Sequence, residues 1–224
     1  MGFRYGFNKV AYITNCKTNI RVCIMPKRLG VCGGTKRKFD EETGEWLRSE
    51  KAQYVACLRA KRAVVDYALC NKFDYFGTIT ISDKRFEVKH YEEQVRALDS
   101  LLNALDYYRQ FISPDFRYVI CPEYGEKKGR LHFHFIVSGI SKEDLFINHN
   151  HHLDWKYIKE RFGHVQIKKI KNTDNDRQRV AFYCSKYISK QGIQLRSHRY
   201  FASHDLKLHL DLNPNDKQVV KKFQ

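Results

Sequence analysis

The stretch EYGEKKGRLHFHFIVSG, Glu123 to Gly139, sets His132 and His134 two residues apart inside an apolar run. On a β-strand side chains alternate between faces, so both imidazoles leave one face while Leu131, Phe133 and Phe135 leave the other. A metal is thereby offered a pair of nitrogens. The preceding run FRYVIC, Phe116 to Cys121, is β-branched and aromatic, and the polar, glycine-containing EYGEKKGR is a turn signal, so the segment predicts a hairpin. With the turn centred between Lys127 and Lys128, Glu123 falls opposite His132 and Cys121 opposite His134; directly paired residues share a face. Two imidazoles and the Glu123 carboxylate make a two-His-one-carboxylate set with open positions. Glu126 is the competing carboxylate, placed in the turn. Pro122 inside a ladder argues for an edge or a bulge. The competing structural reading is a half-buried strand whose histidines are satisfied by hydrogen bonds.

The chain has 224 residues, enough for one main core, and carries 41 Lys and Arg against 25 Asp and Glu, a net charge of +16. These basic residues are spread along the whole chain, a surface that attracts polyanions, nucleic acid first among them. No apolar run approaches the roughly 18 residues of a membrane span, so no membrane partner is expected. The opening MGFRYGFNKV lacks the apolar core of a secretory leader. Seven cysteines without a paired framework suit a reducing compartment, and a cytoplasmic location is the expectation. With 14 Tyr and 15 Phe, some rings are available to stack on bases.

Three regions are expected: an irregular basic region over 1–50, a main domain over 51–193, and a tail or short strand over 194–224. Helix formers predict a helix from Ser49 to Cys70 whose stripe includes Val55, Leu58, Val65 and Leu69. YFGTITIS, Tyr75 to Ser82, reads as a strand beside the hairpin. From His90 to Phe111, Val95, Leu98, Leu101, Leu102 and Leu105 recur at helical spacing, predicting a helix on the sheet face away from the histidines. His149, His151 and His152 cluster in a polar loop, more simply exposed than metal-binding. Asp154 reads as the N-cap of a short helix ending at Gly163. GHVQIKKIK, Gly163 to Lys171, is a basic strand whose Lys168, Lys169 and Lys171 could track a phosphate backbone. Last comes RQRVAFYCSKYISKQG, in which Tyr183 and Tyr187 are four apart, as are Lys186 and Lys190, so each pair stacks one helical turn apart. Tyrosines packed on the sheet with lysines in solvent is the plain alternative. Together these elements predict an α+β fold, a central antiparallel sheet of about five strands with flanking helices.

A His-hydrophobe-His strand followed some fifty residues later by a helical Tyr-x-x-Lys is far more specific than either half. The pattern resembles the HUH endonucleases, and is most similar to the replication initiators of the microviruses, small single-stranded DNA phages. YFGTITIS, EYGEKKGRLHFHFIVSG and YCSKYISK carry the likeness. The doubled Tyr-x-x-Lys looks like the two-tyrosine branch of that superfamily. The resemblance implies His132 and His134 as metal ligands with Glu123 as the less certain third, and Mg2+ or Mn2+ as the metal. It implies Tyr183 and Tyr187 as nucleophiles, supported by Lys186 and Lys190.

The function so implied is nicking of single-stranded DNA at an origin through a 5′-phosphotyrosine, with strand rejoining, during rolling-circle replication. Arg130, Lys168, Lys169 and Lys171 would contact the strand, and host replication proteins such as a helicase would be partners. Oligomeric state is left open. Two other readings compete: a transposase or relaxase using the same chemistry, and a non-catalytic basic nucleic-acid-binding protein.

Overall fold

The structure, a computed structural model, describes residues 5–13, 20–28, 38–40, 45–47, 50–125, 129–171, 173–191 and 194–207. The segment expected to be irregular, with an exposed loop or hairpin over 31–46, contains two antiparallel hairpins, β1 (Tyr5–Ile13) with β2 (Ile20–Arg28) and β3 (Lys38–Asp40) with β4 (Glu45–Leu47). Helix α1 (Glu50–Cys70) follows as its helix formers predict. Its apolar stripe is buried only from Val64 onward; Val55 and Leu58 are exposed.

The remaining strands are β5 (Tyr75–Ile81), β6 (Arg117–Tyr124), β7 (Leu131–Ser138), β8 (Leu145–Ile147), β9 (Leu153–Trp155), β10 (Gly163–Lys169) and β11 (Phe201–Ala202). They form one seven-stranded sheet in the order β11-β6-β7-β5-β10-β9-β8, antiparallel throughout. The fold is therefore α+β, and among the described residues its central antiparallel sheet has seven strands where about five were expected. The extra ones are the three-residue β8 and β9, too short to show any alternation.

The predicted hairpin register is the observed one: Glu123 pairs with His132, Pro122 with Phe133 and Cys121 with His134. Pro122 sits in the ladder without a bulge. Its strand is flanked on the outer side only by the two residues of β11, which pair with Ile120 and Val119, so the missing N–H of Pro122 disrupts no ladder. On the other side of β7, β5 pairs Thr78 with His134 and Thr80 with His132. Gly77 of β5 has no room for a side chain: a Cβ there would stand 2.1 Å from the Gln166 carbonyl oxygen.

Alternation along β5, β6 and β7 divides the molecule into two cores. Leu131, Phe133 and Phe135 of β7 pack with Ile79, Ile120, Val165 and the helix α2 (Tyr91–Tyr107), through Leu98, Leu101 and Leu105. That is the face away from the histidines. The short helix α3 (Lys156–Phe162) adds Ile158 and Phe162 to the same core. Asp154 is not its N-cap: Trp155 holds that position, and Asp154 is fully buried on β9, paired with Lys159. Gly163 does end the helix.

On the opposite face, Val119, Cys121 and Ile136 pack against α1 and α4 (Asp174–Gln191) through Val64, Leu69, Val180, Ala181, Cys184 and Ile188. The helix carrying the two tyrosines is therefore laid over the histidine face of the sheet. The tail contributes β11 before the described residues end at Lys207.

Candidate active site

Three cross-strand rows make the floor of the site. In the direction β6-β7-β5-β10, Glu123, His132, Thr80 and His164 form one row, and Cys121, His134, Thr78 and Gln166 the next. Val119, Ile136, Phe76 and Lys168 form the third. Residues in register share a face, so the predicted His-carboxylate set is brought together by pairing alone.

The threonines of β5 hold the rings. Thr80 Oγ1 lies 2.9 Å from His132 Nδ1, and Thr78 Oγ1 lies 3.0 Å from His134 Nδ1. Both Nε2 atoms are thereby turned away from β5. His134 Nε2 meets Glu123 Oε2 at 2.5 Å, both side chains being buried. A carboxylate only accepts, so Nε2–H donates to it and Nδ1 accepts from the Thr78 hydroxyl. A hydroxyl can serve in either sense, so Thr78 can hold His134 in either tautomer. Burial and the neighbouring His132 push His134 well below its ordinary range, and burial with Arg130 lowers His132. Both imidazoles are neutral at pH 7, the state a metal requires. Gly125 clears the front of His132: a Cβ there would stand 2.4 Å from Nε2.

From α4, Tyr187 lies flat on the His134 ring, centroids 3.4 Å apart and planes 9° apart. Tyr183 stands edge-on to Tyr187 at 4.9 Å and to His134 at 6.1 Å, with Phe76 edge-on at 5.9 Å. Tyr187 is half-buried and Tyr183 is exposed. Burial and a hydrogen bond with Tyr183 push the Tyr187 phenol well above its ordinary value. The one-turn spacing thus puts both tyrosine rings against His134 while Val180, Cys184 and Ile188 bury the neighbouring stripe of α4.

Lys186 is exposed on α4 beside the tyrosines, and the side chain of Lys190 and all of Glu126 lie outside the described residues. Arg130, at the entry to β7, pairs with Asp83 at 3.1 Å. The three lysines of the basic strand do not form one track. Lys168 is on the histidine face beside Phe76, whereas Lys169 pairs with Tyr75 on the opposite face and Lys171 lies beyond the strand. His149, His151 and His152 are exposed in their loop. The sequence reading missed Thr78, Thr80, Gly125, His164 and Gln166. The signal for the threonines was the period-two TIT of β5, set against the period-two HFH of β7.

The donors present fit a divalent cation in kind: two neutral imidazoles whose Nδ1 atoms are hydrogen-bonded, and a carboxylate. In the conformation described, Glu123 is closed onto His134. Among the described residues no group of three or more His, Cys, Asp or Glu stands where it could hold a metal.

Residues 74–192, just over half of the chain, match the family model of replication-associated protein ORF2/G2P. The chain belongs to this family. The matched span begins at the residue before β5 and ends just after α4, so it contains every residue of the rows and both tyrosines. A replication-associated role is thereby given to the domain that carries the site. No curated protein matches the chain. The crystal structure of the hypothetical protein ORF119 from Sulfolobus islandicus rod-shaped virus 1 overlaps 58% of this chain and 96% of that one, at 18% identity and a TM-score of 0.32. No helix among the described residues is long and apolar enough to cross a membrane.

Proposed function

We propose that this replication-associated protein is an initiator endonuclease of the HUH type, which nicks single-stranded DNA through a tyrosine and rejoins the strand ends during rolling-circle replication. The observation that carries the reading is the stacking of Tyr187 on His134, with Tyr183 one turn away and also edge-on to that ring, so both tyrosines meet one of the two sheet histidines.

His132, His134 and Glu123 would hold Mg2+ or Mn2+, which when bound would polarise the phosphate oxygens and stabilise the charge that develops on them. The protein's own part is nucleophile, charge and placement. The attacking Tyr Oη forms a bond to phosphorus as the bond from phosphorus to the 3′ oxygen breaks. The tyrosine gives up its proton and the departing 3′ oxygen takes one, leaving a 5′-phosphotyrosine and a free 3′-OH. The exchange is between two ester bonds, so rejoining needs no energy source. A free phenol ionises near pH 10, and Tyr187 is held higher still, so positive charge is needed beside it. Lys186, exposed on the same helix three residues after Tyr183, would supply such charge. With two tyrosines, one strand end stays held while the second hydroxyl cuts again. Lys168 and Arg130 flank the site as phosphate contacts, and Phe76 offers a ring for stacking.

The test is incubation of the protein with a randomised single-stranded oligonucleotide pool and Mn2+, followed by denaturing electrophoresis and peptide mapping. A covalent adduct on Tyr183 or Tyr187 is expected. Binding without any adduct would overturn the enzyme reading in favour of a non-catalytic binding protein.

A further inference from the structure

At the β11 edge of the sheet, away from the tyrosine and histidine pairs, α1, α2 and the 194–204 segment line an open cleft of about 780 Å³. Its volume falls in the range of small-ligand sites. The lining combines two kinds of group. Arg59, Arg199, His198 and His204 bring basic or protonatable groups, and Tyr67 and Tyr200, edge-on at 6.0 Å, bring aromatic wall. The acidic member, Asp106, shares a hydrogen bond with the Tyr118 hydroxyl. Arg199 lines the cleft as a half-buried side chain, and its Nη1, itself shielded from solvent, has no hydrogen-bond partner, an expensive condition for a guanidinium.

The wall that presents Arg199 is built with care. Leu195 and His198 exchange backbone hydrogen bonds of 3.0 and 2.9 Å around Arg196 and Ser197, whose φ angles are +50° and +63°. Both central residues of this turn are in the left-handed region without being glycine, a strained choice of the kind found at binding sites. The segment is fixed on both sides. Arg196 pairs with Asp99 at 2.5 Å and its N–H donates to the Tyr91 hydroxyl at 3.1 Å. Further on, the Ser203 N–H donates to the Tyr118 carbonyl at 3.0 Å, and the Lys207 N–H donates to Asn71 Oδ1 at 3.0 Å.

We infer that this cleft is a second nucleotide site: a base lies against Tyr67 and Tyr200 while its phosphate is taken by Arg59 and Arg199. Guanidinium forks suit phosphate oxygens, and aromatic faces accept any base. A free nucleotide and one nucleotide of a DNA strand share this chemistry.

The test uses the full chain in the Tyr183→Phe/Tyr187→Phe background without divalent metal, so the nicking reading does not enter. Binding of dAMP, of inorganic phosphate and of a labelled single-stranded hexanucleotide is measured for Arg59→Gln and Arg199→Gln. Arg59 is exposed on α1, so its variant remains informative if Arg199→Gln fails to fold. A loss of at least fivefold for dAMP assigns a free nucleotide, and the same loss for the hexanucleotide alone assigns a strand. Unchanged affinity for both in Arg59→Gln, or inorganic phosphate bound as tightly as dAMP, overturns the inference.

Discussion

Tyr187 and His134 stack face to face, ring centroids 3.4 Å apart, so the second tyrosine of the helix rests on the inner histidine of the sheet. A change at either ring is felt by the other. Tyr187→Phe keeps the stack and removes only the hydroxyl. Tyr183→Phe and Tyr187→Phe are each expected to lower the rate of adduct formation by about tenfold, or about 1.4 kcal/mol of transition-state stabilisation, and the double variant to abolish it. Adduct formation by the double variant at the wild-type rate would exclude both as nucleophiles.

The two threonines act on the histidines through Nδ1. Thr80→Val and Thr78→Val leave a buried ring nitrogen without its partner, and loss of such a partner typically costs about 10–100-fold in metal affinity or activity. Serine keeps the hydroxyl. We expect Thr80→Ser to retain most Mn2+ affinity while Thr80→Val loses it, measured by calorimetric titration. Equal affinity in the two variants would show that the hydroxyl plays no part.

How much of this was legible differs residue by residue. The period of two in HFH and of four in YCSKY needs only local geometry, and the Glu123–His132 register followed from where the turn was centred. Thr78 and Thr80 were hidden because alternating threonines mark any strand with one polar face, and their pairing with the histidines is fixed by contacts some fifty residues away. That Lys168 and Lys169 do not share a face has a reason present in the sequence itself, since adjacent strand residues point to opposite faces. Asp154 had the chemistry of an N-cap, but β9 takes it into the sheet, where burial and Lys159 decide its role. Pairing, not propensity, makes strands as short as β8 and β9.

Gly125 and Gly129 flank the same turn but serve different ends. A Cβ at Gly125 would press on His132 Nε2, whereas Gly129, at φ +62°, has open space around it. Gly125→Ala should reduce adduct formation by more than tenfold with little change in unfolding temperature. Gly129→Ala should do the opposite, losing about 1 kcal/mol of stability to its left-handed backbone while activity survives. If the two variants behave alike, space in front of His132 is not what Gly125 provides.

Tyr108 and Tyr118 are among the buried groups that make the domain sensitive to alkali. Burial, and hydrogen bonds to Asp144 and Asp106 respectively, push both phenols well above their ordinary value. Unfolded, each ionises near pH 10. Above that pH the native state holds protons that the unfolded state has released, so stability falls as pH rises, and below it the full contribution is present. The slope per phenol is up to about 1.4 kcal/mol per pH unit. Denaturant midpoints taken between pH 8 and pH 12 should begin to fall near pH 9, where the buried thiols of Cys121 and Cys184 keep protons that unfolded cysteines release, and should fall more steeply above about pH 10 as the phenols join them. Tyr108→Phe, which removes one of several raised phenols along with its 2.7 Å bond to Asp144, should lower stability throughout and make the drop above pH 10 shallower. A drop of unaltered steepness in Tyr108→Phe would place the alkaline sensitivity elsewhere.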